Sequence, residues 1–537
     1  MKNLQRLFLL FLFAITIQSC EKELDIEVND PRILTDDEFF STPQGYLQAL
    51  AGVYGNLSLT GKDGAGSSFL EGIDAGTSQF GRCLWYLQNL TTDEVIWSYE
   101  NDEGVAELQR NTWTASNPIL LGMYSRTMVG VAIANNFLRQ STPDKLASRG
   151  ITNPTDVANI ATYRNEVRAV RAYYYYVMMD LFGKAPFVTE ANSVSADGVE
   201  YNRRQLFDFV ESEMLAILPN LVAARANQYG RLDKAFAWAV LAKIYLNAEV
   251  YVGAPKYTEC MTMCQNIING GFALKTNYLD NFKADNNTST ELIFTLQSDG
   301  VKTQNFGATT VLINGQVGSV EGNGVALYGV PGWGGALRLR RQFVEKWTGS
   351  EFDFDSRKTI VGAGRTLDIA NVGIQAQGFV LGKWSNRTST GAAGVNSEFV
   401  DTDFPLFRRA DFNLMYAEAQ MRKDGATNAN NNANANATSL GYVNALRERA
   451  NDGNFANITA NQLTLSYLLD ERSRELHWEA HRRQDLIRFG RYSGGTYNWA
   501  WKGNVPFGGS IDGFRNLFPV PSGSLSANPN LTQNPGY

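Results

Sequence analysis

The sequence predicts an all-α dominated fold, in which helical hairpins form a scaffold that carries long loops and short-strand insertions. Apolar residues recur at helical spacing in long segments along most of the 537-residue chain. Small residues alternate with aromatic ones inside several of these segments, and glycine-rich stretches separate them. We find no linker of biased composition, so we expect a single domain after the N-terminal segment.

Several of the predicted helices follow one another as pairs. The helices occupy residues 117–140, 155–182, 206–221, 232–251, 257–269, 404–422, 440–451 and 462–491. The segment RLDKAFAWAVLAKIYLNAEVY, which starts at Arg231, places small residues at helical spacing, so that a neighbouring helix can approach closely, as in tetratricopeptide hairpins. Residues 300–335 and 360–383 are rich in Gly, Val and Thr, which predicts loops with short strands.

The composition excludes nucleic acid as a partner. The formal net charge is -6, which leaves no basic surface for a phosphate backbone. After the N-terminal segment we find no second long apolar run, so we do not expect the mature chain to span a membrane. Cys260 and Cys264 lie one helical turn apart and Cys83 has no evident partner, which favours buried thiols over a disulfide framework.

Catalytic motifs are scarce. We find no phosphate-binding loop with lysine, no GxSxG, no dinucleotide fingerprint and no histidine–cysteine pair of a thiol hydrolase. The only two histidines, His477 and His481, have the spacing of zinc ligands on a helix, but Trp478 stands where a zinc protease has its glutamate. We therefore expect an amphipathic helix rich in Arg and Glu. Carboxylates are plentiful, so a glycosidase-like acid pair stays open.

The N-terminus predicts export and a lipid anchor. Lys2 and Arg6 precede an apolar run, residues 7–17, which is too short to span a bilayer and suits an export signal. The run ends in ITIQSC, which resembles a bacterial lipobox. We expect removal of residues 1–19 and acylation of Cys20, where two or three acyl chains would anchor the protein firmly. A simple secretory signal is the alternative.

Longer motifs carry a resemblance to a known family. They include VRAVRAYYYYVMMDLFGKAPF, DTDFPLFRRADFNLMYAEAQ, YVNALRERAN, ERSRELHWEAHRRQDLIRFGRY and NLFPVPSGSLSANPNLTQNPGY. With these segments the chain resembles the SusD/RagB family of outer-membrane lipoproteins from the lipobox to the last residue. The resemblance implies one domain over residues 20–537, with halves at 20–290 and 291–537, and no catalytic activity.

The resemblance also implies a function. Family members bind glycans at the cell surface and work with a SusC-like TonB-dependent transporter of the outer membrane. For this chain we expect capture of starch or other α-glucan oligosaccharides and their delivery to such a transporter. The alternatives are a different glycan, a surface glycoside hydrolase and a protein-interaction scaffold.

Four segments resemble those that form the site of a starch-binding member of the family. They are GIDAGTSQFGR, TTDEVIWSYEND, DGVKTQNFGATT and PGWGG, in the same order and at similar spacing. The resemblance implies a stacking platform of Trp97 and Trp333, with Phe306, in place of a tyrosine, as a third aromatic residue. It implies nearby contacts from Asp74, Arg82, Tyr99 in place of a tryptophan, and either Asn101 or Asp102.

Sugar chemistry explains why these residue types suit a glycan. A pyranose ring presents C–H patches that stack on indole or phenyl rings, and its rim of hydroxyls needs hydrogen-bond partners. Arg82 can donate a fork of hydrogen bonds and Asp74 can accept two. An arc of rings fits a curved α-glucan better than a flat β-glucan. Core packing is the alternative for each aromatic residue.

The resemblance extends to a structural calcium, although no cofactor is required for the expected function. Its implied ligands carry oxygen atoms, the hard type that calcium prefers. They are Asp285, Asn287, Asp401 and Asp403. Turn formation explains the same residues equally well.

In that family the histidine-bearing stretch corresponds to a structural helix. We expect its charged residues to pair within the helix, each pair contributing a few tenths of a kcal/mol. The charged residues are Arg472, Arg474, Arg482, Arg483, Glu471, Glu475, Glu479 and Asp485. Packing should supply most of the stability, through Leu468, Leu469, Leu476, Leu486 and Phe489.

Overall fold

Helices dominate the computed structural model, which describes residues 35–317, 324–427, 435–452 and 457–537 and confirms the predicted fold class. The helices are α1 Asp36–Phe39, α2 Pro43–Ser58, α3 Phe80–Trp85, α4 Val105–Gln109, α5 Pro118–Gln140, α6 Pro143–Ser148, α7 Pro154–Leu181, α8 Arg203–Ile217, α9 Lys234–Leu246, α10 Ala248–Val252, α11 Tyr257–Asn269, α12 Ala308–Gln316, α13 Gly324–Tyr328, α14 Arg341–Val344, α15 Arg409–Lys423, α16 Ala437–Asn451, α17 Leu465–Leu476, α18 Arg482–Arg488 and α19 Ser522–Ala527. The export signal and Cys20 lie outside the described residues.

The strands are short and pair antiparallel, two by two. They are β1 Val95–Trp97 with β5 Leu337–Leu339, β2 Lys184–Phe187 with β3 Val199–Asn202, β4 Leu292–Leu296 with β8 Phe404–Arg408, and β6 Ile360–Val361 with β7 Val380–Leu381. Each pair fastens two loops of the helical scaffold to each other. The β1–β5 pair is the one that positions the candidate site.

The long helices begin where the sequence supplies a cap. The side chains of Asn117 and Asn153 accept hydrogen bonds from first-turn amides, and a proline follows each of them at the first helical position. The two helices, α5 and α7, then pack against each other. Glycine allows this approach, because a Cβ atom at Gly130 would lie 2.3 Å from the Tyr174 ring.

Two predicted elements differ in the structure. Phe404–Arg408 forms β8 instead of the start of a helix, because its aromatic residues suit a strand and Pro405 is tolerated in a two-stranded pair. Helix α15 begins only at Arg409. The predicted loop region 300–335 contains helix α12, whereas 360–383 has the predicted short strands, β6 and β7.

The predicted helix over 462–491 is wrong in its middle. Helix α17 ends at Leu476, and Trp478 and Ala480 have φ values of 60° and 61°, which interrupt the helix before α18 begins. His477 and His481 therefore do not share a helical face. Both imidazoles are buried, and burial holds the pKa of each well below its ordinary value.

The charged residues of this stretch pair mainly with other elements, which corrects the predicted pairing within the helix. Arg357 donates to Glu471 at 2.8 Å and to Glu475 at 3.0 Å. Arg408 donates to Glu475 at 2.7 Å and to Glu479 at 2.6 Å. All of these side chains are buried, so removal of one partner would leave a buried charge uncompensated.

A further buried pair joins the C-terminal part of the chain to the N-terminal part. Both oxygens of Asp93, which lies just before β1, accept hydrogen bonds from Arg482, at 2.7 and 2.8 Å. This pair fixes the start of β1 and with it the position of Trp97. The expected packing residues of the stretch are buried: Leu468, Leu469, Leu476, Leu486 and Phe489.

The cysteines of the described residues are thiols, as predicted. Cys83, Cys260 and Cys264 are free and buried, and burial raises the pKa of the Cys83 thiol to about 12. Within the ranges that the structure describes, none of the helices has the length and apolarity needed to cross a bilayer.

Candidate functional site

Trp97 forms the base of the candidate site. The residue lies in β1 opposite Leu337 of β5, and only 2% of its surface is exposed. Its indole Nε1 donates to Asp102 Oδ2 at 2.8 Å. Helix α12 packs closely against the ring, since a Cβ atom at Gly315 would lie 2.9 Å from the Trp97 ring. The expected stacking face of Trp97 is therefore covered by protein, which is the core-packing alternative for this residue.

Two rings that reach solvent lie edge-to-face on Trp97. The ring centroids of Tyr99 and Trp333 are 5.9 and 6.2 Å from that of Trp97. Tyr99 is 40% exposed and Trp333 is half-buried. The Tyr99 hydroxyl donates to the backbone oxygen of Trp333 at 2.8 Å and accepts from Gln375 Nε2 at 3.0 Å. The main chain of Trp333 and the side chain of Gln375 thus hold the Tyr99 ring in place.

Glycines shape the loop that carries Trp333. Gly332, Gly334 and Gly335 have φ values of 78°, 68° and 70°, in the region that side chains disfavour. The amide of Trp333 donates to the backbone oxygen of Asn314 in α12 at 2.8 Å. The sequence PGWGG therefore allows a tight loop that turns one indole toward the site.

Asp74, Arg82 and Phe306 come together at the other end of the site. Arg82 Nη1 donates to the Phe306 backbone oxygen at 3.4 Å, and Asp74 Oδ1 accepts from the amide and hydroxyl of Thr77 at 2.8 and 2.9 Å. Gly76 lies between them, because a Cβ atom there would be 2.9 Å from Arg82 Nη1 and 2.9 Å from Phe306 Cβ. The three predicted residues thus form one cluster.

In this cluster, Asp74 is negatively charged and Arg82 is positively charged at neutral pH. Burial acts to raise the pKa of Asp74, but hydrogen bonds from Thr77 and the charge of Arg82 lower it below its ordinary value. Burial acts to lower the pKa of Arg82, whereas Tyr86 and Asp74 raise it. A fixed cation and a fixed anion side by side suit recognition of neighbouring hydroxyls.

Tyr86 links the two ends of the site. Its hydroxyl accepts from Arg82 Nε at 3.0 Å. The pKa of Tyr86 is raised by burial, lowered by Arg82 and raised by the nearby charge of Asp102. Asp102 in turn accepts the hydrogen bond of Trp97 Nε1, so the charge that acts on Tyr86 belongs to the residue that bonds the base of the site.

The remaining predicted residues differ in exposure. Asp102 already has Trp97 as an internal partner, while Asn101 is exposed next to it. Phe306 is half-buried and packs on Phe399, with ring centroids 5.1 Å apart. Asn101 is therefore the residue of the pair whose side chain faces solvent.

Some residues that support the site are not among those that the sequence predicts. Tyr86 follows Arg82 by four positions at a helix end, a spacing that brings side chains together, so this contact had a local signal. Gln375 and Asn314 contact Tyr99 and Trp333 from distant segments. No spacing in the sequence indicates those two contacts.

The expected calcium ligands do not form one donor set. The carboxylate oxygens of Asp401 accept from the amides of Gly300 and Val395, at 2.8 and 2.7 Å. Asp403 accepts from the Ser298 amide at 2.8 Å, and burial raises its pKa to about 6. The carboxylates of both aspartates are therefore hydrogen-bonded to donors of the protein itself.

The other two expected ligands differ in their contacts. Asp285 accepts from the amide and the hydroxyl of Ser389, at 2.7 and 2.5 Å, and Asn287 is exposed. Among the described residues, no three acidic, histidine or cysteine side chains form a group that could hold a metal. The hydrogen bonds of the three aspartates stabilise turns, in line with the alternative that the sequence offers, and a calcium ion at these residues stays a prediction.

The fold and the site together define a class of protein. A scaffold of helical pairs holds exposed rings beside a fixed arginine and carboxylate, which is an arrangement for binding a ligand with apolar faces and a hydroxyl rim. The SusD family model matches residues 338–537. The starch-binding protein SusD of Bacteroides thetaiotaomicron is 31% identical to this chain, over 100% of the chain and 99% of that protein.

The chain belongs to the SusD family. A SusD homologue from Bacteroides thetaiotaomicron has a similar fold, with a TM-score of 0.69 and 20% identity over 94% of this chain and 98% of that one. Surface glycan-binding protein A from the same organism, solved with laminarihexaose, has a TM-score of 0.66 and 19% identity over 91% of this chain and 99% of that one. Membership of this family confirms the predicted class, a SusD-like protein without catalytic activity, and the starch-binding protein SusD and surface glycan-binding protein A are named for binding starch or glycans.

Proposed function

We propose that this protein captures starch or other α-glucan oligosaccharides at the cell surface and delivers them to a SusC-like TonB-dependent transporter. The observation that carries the proposal is the pair of solvent-facing rings, Tyr99 and Trp333, held at an angle on the buried Trp97. Two exposed rings fixed on one buried ring offer stacking faces to successive sugars of a chain.

The polar groups of the site support a sugar as the ligand. Asp74 and Arg82 lie together, and Thr77 and Tyr86 fix their orientation. The exposed amide of Asn101 adds a donor and an acceptor beside the rings. Neutral hydroxyls need such mixed partners, whereas a charged glycan would favour a surplus of one sign of charge.

The N-terminal motif supports display on the cell surface. Acylation at Cys20 would hold the protein to the outer face of the outer membrane, since each buried methylene of an acyl chain contributes about 0.8 kcal/mol. Protease added to intact cells should then degrade the protein, and Cys20→Ala should release it from the membrane fraction. A Cys20→Ala protein that stays equally bound would remove lipidation as the anchor. Co-purification of the SusC-like transporter from membranes tests the delivery step.

The test of the glycan class is an affinity measurement with maltoheptaose on wild type and two tryptophan variants. Trp333→Ala removes a ring of the site, and Trp238→Ala removes a half-buried tryptophan of helix α9 as a matched control. We expect Trp333→Ala to bind about two- to tenfold more weakly, because one ring stack contributes about 0.5–1.5 kcal/mol. Trp238→Ala should keep the wild-type affinity.

Other outcomes separate the alternatives. Binding of laminarihexaose without maltoheptaose would keep the glycan-binding class and discard the α-glucan assignment. Sustained release of reducing ends by pure protein would point to a hydrolase. A protein that binds no oligosaccharide and only co-purifies with a membrane partner would be an interaction scaffold.

A further inference from the structure

A second exposed surface adjoins Tyr99. The loop after β1 meets the loop 369–377, where Gln375 Nε2 donates to the Tyr99 hydroxyl at 3.0 Å. The loop 501–508 joins them, since Trp501 Nε1 donates to the backbone oxygen of Ile369 at 2.8 Å. Three segments that are distant in sequence therefore form one continuous surface.

Arg110 connects this surface to the candidate site. It forms two hydrogen bonds with Glu100, the residue after Tyr99, at 2.8 and 2.7 Å. Its guanidinium also donates to Asn504 Oδ1 at 2.5 Å and lies 4.3 Å from the centre of the Trp501 ring. A guanidinium has five N–H donors, so donors remain for hydroxyls of a bound ligand.

The loop 501–508 is held in a fixed shape. Trp501 and Asn504 have φ values of 69° and 63°, which residues other than glycine adopt only where the surroundings impose them. The buried ammonium of Lys502 donates to the backbone oxygens of Gly494 and Tyr497, at 2.9 and 2.7 Å. The loop is thus anchored from inside the protein.

This fixed loop presents apolar side chains to solvent. Phe507 is 80% exposed and Val505 is 43% exposed, and Ile374 of the neighbouring loop is 46% exposed. Such side chains contribute little to the core from these positions. Large apolar side chains that a fixed loop holds in solvent are typical of a binding region.

We infer that Phe507 and Arg110 form a second contact region for the same glycan chain that binds at Tyr99 and Trp333. This inference rests on the proposed function. The Phe507 ring stacks on a sugar face, and Arg110 and Asn504 meet the hydroxyls between the two regions. The second region therefore adds affinity only for oligosaccharides long enough to extend past Tyr99.

The test compares a short and a long oligosaccharide by isothermal titration calorimetry. The probes are maltotriose and maltoheptaose, and the variants are Phe507→Ala, Phe507→Tyr and the matched control Phe354→Ala, whose ring is 67% exposed elsewhere on the surface. Phe507→Ala should weaken maltoheptaose binding by about two- to tenfold and leave maltotriose binding unchanged. Phe507→Tyr keeps a ring and should keep the affinity, as should Phe354→Ala.

The inference is overturned if Phe507→Ala binds maltoheptaose as wild type does, or if it weakens both sugars equally. A wild-type protein that binds laminarihexaose and not maltoheptaose overturns only the α-glucan assignment. The same comparison with laminaritriose and laminarihexaose then decides between a second region and none. A wild-type protein that binds none of these sugars overturns the proposed function and this inference with it.

Discussion

The Tyr99 hydroxyl donates a hydrogen bond to the backbone oxygen of Trp333 at 2.8 Å, although the two residues are 234 positions apart in the chain. The bond joins the loop after β1 to the glycine-rich loop before β5. Both rings rest on Trp97, so their relative angle is set before a ligand arrives. A site formed in advance loses little conformational freedom on binding, which favours affinity.

Two substitutions of Tyr99 should separate the contribution of its ring to glycan binding from the contribution of its hydrogen bond. Tyr99→Ala removes the ring and the bond, and we expect about tenfold weaker maltoheptaose binding by calorimetry. Tyr99→Phe keeps the ring and loses a hydrogen bond that contributes about 0.5–1.5 kcal/mol to the loop, so a smaller loss is expected. Equal losses in the two variants would show that the ring contributes nothing of its own.

Trp97 and Trp333 should respond differently to truncation. Trp97 is buried, and loss of a buried tryptophan side chain destabilises by about 3–5 kcal/mol. Trp97→Ala should therefore lower the melting temperature together with glycan affinity, whereas Trp333→Ala should lower affinity with a smaller change in melting temperature. A Trp97→Ala protein with a wild-type melting curve would contradict the assignment of this ring as the base of the site.

A single added methyl group in α12 should disturb the site from behind. A Cβ atom at Gly315 would lie 2.8 Å from Leu337 Cδ1 and 2.9 Å from the Trp97 ring. Crowding of this kind costs about 1–3 kcal/mol, so Gly315→Ala should lower both the melting temperature and the maltoheptaose affinity. Gly55→Ala in α2 is the matched control, because nothing lies within 4 Å of its added Cβ atom.

The control variant Gly55→Ala should itself change the melting temperature. Alanine in a helix interior is favoured over glycine by about 0.5–1 kcal/mol, so Gly55→Ala should raise the melting temperature slightly. If Gly315→Ala also raises it, helix propensity outweighs crowding and the ring is not packed as described.

Glu94 should make stability depend on pH. Burial raises the pKa of Glu94 from its ordinary 4.5 to about 7, although hydrogen bonds from Trp478 and Ser473 oppose the change. An acid with a raised pKa stabilises the folded protein below its unfolded pKa, and this contribution is lost as pH rises through the folded pKa. The free energy of unfolding should therefore lose up to about 3 kcal/mol from this group between pH 4.5 and 7.

Glu94→Gln isolates this contribution. The amide can keep an acceptor toward Trp478 and Asn89 and place its donor toward the Ser473 hydroxyl, which can accept. Urea unfolding at a series of pH values should show a smaller decline toward pH 7 in the variant than in wild type. Parallel curves would mean that another group causes the decline.

The helices that could be predicted are those whose ends are encoded locally. Asn117 and Asn153 each precede a proline, and helices begin there. The interruption at Trp478 and Ala480 had no such signal, because neither residue favours a positive φ. It is imposed by tertiary contacts, including those of Glu479 with Lys383 and Arg408.

The residues of the candidate site also divide into those that the sequence predicts and those that depend on the whole fold. The four segments that resemble a starch site contain the expected residues. Arg82 and Tyr86 also contact each other from one helix end. The burial of Trp97 could not be read from VIW, since a short strand gives no indication of which face the core covers. The support from Gln375 comes from a loop distant in sequence and depends on the whole fold.

The pairing of Asp93 with Arg482 has a consequence for how the chain folds. The two residues are separated by 389 positions, and both charges are buried. While the chain is being synthesised from its N-terminus, Asp93 emerges long before Arg482. Asp93 has a second buried cation, Lys346, at 2.7 Å, and both cations follow it in the chain. A buried carboxylate without its counter-ions is strongly unfavourable, so the segment around β1 cannot reach its final packing early. Completion of the native state, and with it of the aromatic site, therefore waits until the last part of the chain has been released.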